Sequence, residues 1–353
     1  MMQTRKFTDL YIDTTKKGTK IPQDRYLSTG RYPIVDQGRQ IIAGYWEEPD
    51  GIFDEVPAII FGDHTRAIKY IEKPFFIGAD GVKILRPANE EDNPKYLYYA
   101  LQAVKIPNLG YSRHFKVVKE LEMRIYSRED QDTIVSKIER IDCLIEKRQN
   151  ELIYLDELVK SRFIELFGDI IGNRTLPLIR LSELADIGSS KRIYANEYVE
   201  SGIPFYRSKE IRELGTGLKP SVELFIKRER YDEIREKYGV PKVGDILIAA
   251  IGATIGYSWI VDTDSPFYYK DGNLIVLSIK DNVNPIFLNH AMGILIEDFK
   301  KKGVAGSAQL ALTIEKLEKM MVVNPELELQ NQFAAFVAQV DKSKHFSELE
   351  VAA

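Results

Sequence analysis

From Arg128 to Phe167 the chain runs without a proline or a glycine, and Ile134, Ile138, Ile141, Ile145, Leu152, Leu155, Val159 and Leu166 recur at alternating spacings of four and three. Arg148 and Arg162 fill the two polar gaps in that register. Kept over several heptads, the spacing predicts a coiled-coil seam. About 38 residues of helix at 1.5 Å each run to roughly 57 Å, longer than one globular domain needs. Off the seam stand Lys137, Glu139, Arg140, Glu146, Lys147, Glu151, Asp156, Glu157 and Lys160, both signs mixed as on a solvated helix. The rod lies in mid-chain and therefore separates two globular bodies. A length of 353 residues predicts the same number of domains.

The two bodies read as one unit written twice. Asp80-Gly81, Ile84, Asn93-Pro94-Lys95-Tyr96-Leu97 and Ala100 stand opposite Asp271-Gly272, Ile275, Asn284-Pro285-Ile286-Phe287-Leu288 and Ala291 at one constant offset. Upstream, Ala58 to Gly62 parallels Ile248 to Gly252, and Thr29 to Ile34 parallels Ser201 to Phe205. Downstream, Ile134, Ile138, Ile141 and Asp142 on the rod parallel Phe333, Val337, Val340 and Asp341, so the repeat includes the start of the helix. Ala58 to Phe61, Gly81 to Leu85, Asp245 to Ile251 and Asn273 to Ile279 are short β-branched runs that predict buried strands. Asn93-Pro94 and Asn284-Pro285 open helices, with proline in the first turn. Gly168 is a C-cap glycine ending the rod.

The expected fold is α+β: two similar globular domains separated by long helices that pair as an antiparallel coiled coil, in a pseudo-twofold arrangement. The boundaries are 1–127 for the first domain, 128–169 for the central helix, 170–325 for the second domain and 326–353 for a short or truncated distal helix. Two similar surfaces held at a fixed separation suit a bipartite DNA site, whose half-sites lie about 34 Å per helical turn apart.

Composition enters as a set of exclusions. Hydrophobic residues at 44% and charged residues at 29% describe a soluble globular protein, with no stretch of membrane-spanning character. Met1 to Thr8 lacks the apolar run of a signal peptide, and the single cysteine, Cys143, suits a reducing cytoplasm. The net charge of -4 means that any DNA-binding surface is local. No adenine-methyltransferase Asn/Asp-Pro-Pro-aromatic run exists, because Asn93, Asn284 and Asn324 precede Pro-Lys95, Pro-Ile286 and Pro-Glu326. The phosphate-binding Gly-Lys-Ser/Thr pattern and the Glu-x-Lys nuclease triplet are also missing. His64, His114, His290 and His345 show no metal-ligand spacing. No catalytic residue, metal or cofactor is expected.

The run Gln131 to Asp142, with Leu144-Ile145-Glu146-Lys147-Arg148 and Leu155 to Phe163, resembles the spacer helix of the specificity subunit of Type I restriction-modification systems. The resemblance extends over nearly the whole chain as target recognition domain, spacer, second recognition domain and second spacer. It implies a non-catalytic reader of double-stranded DNA, each recognition domain taking one half of a bipartite target. It also implies two methyltransferase subunits docked on the spacers and two motor and endonuclease subunits in the full complex. By the repeat register the second helix extends past Ala353, which would leave half of the rod without a partner and a homodimer as one solution.

Candidate DNA-reading residues are cationic, amide and aromatic side chains on loops. The first group is Tyr111, Arg113, His114 and Lys116 behind Gly110, with Ser307 and Gln309 at the matching place after Lys300 to Lys302. The others are Gln37, Arg39 and Gln40; His64 and Arg66; Lys191 and Arg192; Arg207 and Lys209; and Tyr269 and Lys270. The competing function is a tandem-repeat coiled-coil adaptor that clamps two protein partners without touching DNA.

Overall fold

The computed structural model describes residues 2–78, 80–110, 112–172, 176–303 and 310–352, with side chains to Lys344. It divides into two compact units, Met1–Glu146 and Lys147–Ala353. The division falls inside one continuous helix, Arg128–Phe167.

Unit 1 begins with β1 (Gln3–Lys6), α1 (Phe7–Leu10) and β2 (Tyr11–Asp13). Next come β3 (Tyr32–Val35), β4 (Gly44–Trp46), β5 (Ala58–Gly62), β6 (Ile68–Ile71), β7 (Phe76–Ile77) and β8 (Val82–Pro87). The unit closes with α2 (Pro94–Ala103), α3 (Phe115–Val118), β9 (Glu122–Ile125) and the first part of α4 (Arg128–Phe167). One sheet has the order β2-β8-β5-β6, a second β4-β3-β7, and β1 pairs with β9.

Unit 2 repeats this plan. Its opening is β10 (Leu178–Arg180), α5 (Leu181–Leu184) and β11 (Ala185–Gly188). The middle is β12 (Tyr198–Val199), β13 (Ile203–Tyr206), α6 (Ser208–Gly215), β14 (Phe225–Ile226), α7 (Arg228–Tyr238), β15 (Ile246–Ala249), β16 (Ser258–Ile260), β17 (Tyr268–Tyr269) and β18 (Leu274–Ile279). The close is α8 (Pro285–Gly303), α9 (Ile314–Glu318), β19 (Met321–Val323) and α10 (Leu327–Ala352). The sheets are β11-β18-β15-β16 and β12-β14-β13-β17, with β10 paired to β19. In both units the strand that contains the repeated proline makes a parallel pair, Ile34 with Phe76 and Phe205 with Tyr268.

The central strands are buried on both faces. In unit 1, Ile59, Phe61 and Leu85 pack toward α2, while Ala58, Ile60 and Ile84 pack toward β3 and β7. In unit 2, Ile246, Ile248, Ile275 and Leu277 face α8, while Leu247, Ala249 and Leu274 face the other core. Pairing corrects the sequence register here. Ile59 pairs with Leu85 and Ile246 with Leu277, so Leu85 matches Leu277, and Ile84 matches Val276 rather than Ile275. One residue is lost in the loop before Asn284, so the constant offset fails upstream of it. A strand buried on both faces lacks the alternation that would mark a one-residue slip.

Each terminal helix is pinned to its unit by the same device. Asn93 caps α2, its Oδ1 accepting from the Lys95 and Tyr96 amides, and Asn284 caps α8 through the Ile286 and Phe287 amides. The backbone N–H of Asn93 donates to Gln131 Oε1 at 2.7 Å, and that of Asn284 to Gln330 Oε1 at 2.9 Å. Gln131 Nε2 donates to the Tyr126 carbonyl and Gln330 Nε2 to that of Pro325. Both glutamines are 1% exposed.

The long helices α4 and α10 contact each other through Phe163 and Phe167, whose rings lie 5.3 and 5.7 Å from that of Phe333. Further along, Lys344 Nζ meets Asp156 Oδ1 at 2.6 Å, so the two run antiparallel. The buried apolar residues on α4 are Val135, Val159, Phe163 and Phe167. Of the expected seam only Val159 is fully buried; Ile134, Ile138, Ile145, Leu152, Leu155 and Leu166 are half-buried, and Ile141 is 55% exposed. Spacing finds an apolar stripe but does not choose among stripes when a helix carries more than one. Gly168, at φ 74°, ends the helix with its N–H on the Ile164 carbonyl.

Candidate nucleic-acid interface

In unit 1, loops far apart in sequence meet at one end of the central sheet. Gln37, following β3, donates from Nε2 to the Asp80 carbonyl at 3.0 Å and accepts at Oε1 from the His64 amide at 3.3 Å. Its own carbonyl accepts from Thr65 Oγ1. Gly62 is required at this crossing, because a Cβ there would collide with Thr65 Oγ1 and the Gln37 carbonyl. Lys69 is buried below, donating to the Asp36 carbonyl at 2.8 Å; burial pushes its ammonium down in pKa and Asp36 opposes the shift.

The segment ahead of α3 is tied in through Asp63. Its carbonyl accepts from the His114 amide at 2.9 Å and lies 2.9 Å from His114 Nδ1. Its carboxylate accepts from the Phe115 amide at 2.7 Å. The Leu109 amide donates to His114 Nε2 at 3.1 Å, which leaves Nδ1 as the protonated nitrogen of a neutral ring. Arg66, at φ 60°, donates from Nη1 to the Ile106 carbonyl at 3.2 Å.

The structure thus gathers Gln37, His64, Arg66, Arg113 and His114 into one crown of loops, but divides their work. His114 is fully buried with both ring nitrogens engaged, so as folded it presents nothing to a base edge. The amide of Gln37 is likewise occupied in holding loops together. Arg39, Arg113 and Lys116 are exposed. The Asp80 carboxyl is held below the usual range first by Lys20, with Arg113 adding to the effect. Tyr111, Ser307 and Gln309 lie outside the described residues.

Unit 2 builds the corresponding crown from the same backbone crossings. The Lys270 amide donates to the Tyr206 carbonyl at 2.9 Å, as that of Gly78 does to Val35, also at 2.9 Å. The Leu312 amide donates to Ala250, as that of His114 does to Asp63. The counterpart of His114 is therefore a buried leucine a few residues after the Gly303–Gln309 stretch, and its position is an interior one in both units.

Three cations of this second crown, Arg192, Arg207 and Lys209, are paired with carboxylates. Arg207 Nη2 lies 2.9 Å from Glu210 Oε1 and 2.9 Å from Glu223 Oε2, and these carboxylates raise the guanidinium pKa further. Lys209 Nζ shares Glu223 at 2.9 Å. Arg192 Nε meets Asp271 Oδ2 at 2.8 Å on the exposed side. Lys191 Nζ lies 4.4 Å from the Tyr238 ring centre, beside a cleft of about 340 Å³ that Ser189, Ser190, Tyr268 and Tyr269 also line. Tyr269 is a core residue whose phenol pKa is pushed up by burial, and Lys270 is half-buried.

Asp63 was invisible in the sequence as a positioning residue, since its partners lie 51 and 52 positions away. Among the described residues no group of three His, Cys, Asp or Glu side chains could hold a metal ion. No helix among them is long and apolar enough to cross a membrane. Amide, guanidinium and ammonium donors on loops are groups that bind phosphates and base edges.

Residues 175–350 match the Type I restriction modification DNA specificity domain. A Haemophilus influenzae protein named as a type I restriction enzyme specificity subunit is 32% identical over 163 residues, 45% of this chain and 39% of that protein. The match therefore spans well under half of that relative's length. Among solved structures, the S subunit of a Type I restriction-modification system from M. genitalium superposes with a TM-score of 0.61 at 17% identity, covering 100% of this chain and 92% of that one. A structure concerned with complex assembly and conformational transition of the type I R-M system gives 0.60 at 15% identity, covering 99% and 94%. At those identities the superpositions show a shared fold. With a matching domain model and a matching relative beside that fold, the chain belongs to the specificity (S) subunit family of Type I restriction-modification systems.

Proposed function

We propose that the chain is a non-catalytic DNA reader in which each unit takes one half of a bipartite target, while the long helices dock two methyltransferase subunits. Two motor and endonuclease subunits join in the full complex. The observation that carries this reading is the pair of loop crowns, held by the same backbone crossings but furnished with different side chains. Two half-sites of different sequence call for one scaffold with two sets of readers. In unit 1 the readers are Arg39, Arg113 and Lys116, with His64 and Arg66 at the crown's base and Gln37 and His114 holding it. In unit 2, Lys191, Arg192 and Lys270 border the crown and its cleft. Arg207 and Lys209 act there once phosphate oxygens replace Glu223 as their acceptor.

The test is to co-express the chain with the methyltransferase encoded beside it and sequence the host DNA for N6-methyladenine. The expected result is a single split motif with two different half-sites and a fixed gap. An assembled complex that leaves no methylated motif overturns the reading. The pairing of Arg192, Arg207 and Lys209 with carboxylates favours a second reading, an adaptor clamping two proteins. Steep weakening of DNA binding with rising salt counts against it.

A further inference from the structure

The loop between β3 and β4 of unit 1 runs Asp36-Gln37-Gly38-Arg39-Gln40-Ile41-Ile42-Ala43. Its base is fixed. The Ala43 amide donates to the Ile34 carbonyl at 2.8 Å and the Gly38 amide to Asp36 Oδ1 at 2.8 Å, while Lys69 and Gln37 tie the entering strand into the crown. Its tip is apolar, with Ile41 64% and Ile42 38% exposed. Among the described residues they are the only adjacent pair of exposed large hydrophobic side chains outside α4, and Ile41 is the most exposed isoleucine. A cleft of about 290 Å³ beside the loop has Tyr26, Arg39, Gln40 and Ala43 in its walls and neither isoleucine. Branched aliphatic side chains left in water forgo burial that a covering ligand can restore.

The neighbours of the pair indicate what covers it. Arg39 and Gln40 precede it in exposed positions, and Arg113 and Lys116 are exposed in the same crown, surroundings that favour a polyanion. In the major groove guanine suits an arginine and adenine a glutamine, whereas thymine alone presents a methyl group, which takes apolar contact. Arg39-Gln40-Ile41-Ile42 carries side chains for all three in succession. At the matching place after β13, unit 2 launches α6 instead, and the first isoleucine of that helix, Ile211, is buried.

We propose that Ile41, with Ile42 beside it, recognises thymine in the unit 1 half-site by apolar contact with its 5-methyl group. The inference rests on the DNA reading above and adds to it the chemistry of one target base. An A·T pair in that half-site is then distinguished by its methyl group as well as by its hydrogen-bonding edge.

The test uses the complex co-expressed with its methyltransferase and a fluorescent duplex carrying the split motif that methylation mapping returns. All thymines of one half, then of the other, are replaced by deoxyuridine, which lacks only the 5-methyl group, and binding is followed by anisotropy. Uracil in one half is expected to weaken binding about fourfold for each methyl contacted. Ile41→Ser should weaken binding to the thymine duplex by a similar factor and abolish the further loss on uracil, with an unchanged denaturant midpoint because the position is exposed. Indifference to uracil in both halves overturns the proposal, as does a uracil penalty that survives Ile41→Ser combined with Ile42→Ser. An Ile41→Ser loss of equal size on thymine and uracil duplexes also overturns it, assigning the side chain to wedging between base pairs. A complex that binds no motif brings down the DNA reading and this inference together, whereas a motif bound with steep salt dependence but without regard to the methyl brings down this inference alone.

Discussion

The first turns of α4 and the whole of α10 are the same helix in two surroundings. Both start from a buried glutamine clamped to an asparagine-capped neighbour, and both place apolar residues at matching positions after it. On α10, Phe333, Val337 and Val340 are buried because the end of α4 lies against them; Val340 is 5% exposed. On α4 the matching Ile134 and Ile138 are half-buried, and Ile141 is 55% exposed. Identical placement thus leads to opposite burial, decided by what lies on the outer face rather than by the helix itself. An apolar pattern states what a helix can bury, and only a partner states what it does bury.

The sharpest way to break this comparison is to truncate one member of each set. Phe163→Ala removes a ring that is 1% exposed and touches Phe167, Phe287 and Phe333, and should cost about 3–5 kcal/mol in chemical denaturation of unit 2. Ile141→Ala should cost about 0.5 kcal/mol or less, as at an ordinary surface position. Equal costs would mean that Ile141 is covered in solution.

The glutamine clamps should behave alike despite the difference beyond them. Gln131→Ala and Gln330→Ala each leave a half-buried asparagine N–H without its acceptor and should cost about 1–3 kcal/mol. A clear inequality between the two, measured by denaturant midpoint, would show that the units do not share their anchoring.

The smallest effect is one of pH. His290 packs on Phe333, and burial pushes its pKa below the usual histidine range, with Asp341 and Asp156 opposing and Lys344 reinforcing. The unfolded chain binds the proton first, so the stability gained from a neutral His290 is present above about pH 6.5 and is lost as pH falls below it. Its counterpart Tyr99 does not titrate in that range, its phenol pKa being raised by burial. Acid softening should therefore begin in unit 2, and His290→Phe should flatten the melting temperature between about pH 7 and pH 5.5.

Much of this architecture could be read from the residues. Asn-Pro pairs at Asn93 and Asn284 marked helix starts because cap chemistry is local, and the Arg128–Phe167 helix came from the missing breakers. Four buried strands were legible as β-branched runs. Their register was not, because burial on both faces hides a one-residue slip, and Ile84 and Ile275 point into different cores. Nor was the buried face of α4, where Phe163 and Phe167 matter more than the expected seam. Among candidate readers, Arg39 and Arg113 could be seen as loop cations. The interior placement of His114 depends on Asp63, and the pairing of Arg207 on Glu223, partners that no local pattern announces.

The glutamine clamp at the foot of α10 also sets an angle. A helix held by an amide that bonds both Asn284 and Pro325 has a single azimuth about its own axis. Each added residue rotates the remainder of the helix by about 100°. One residue inserted after Asn331 would leave the clamp closed and swing Phe333, Val337 and Val340 away from Phe163, so the anchoring glutamine serves as the zero mark of a dial.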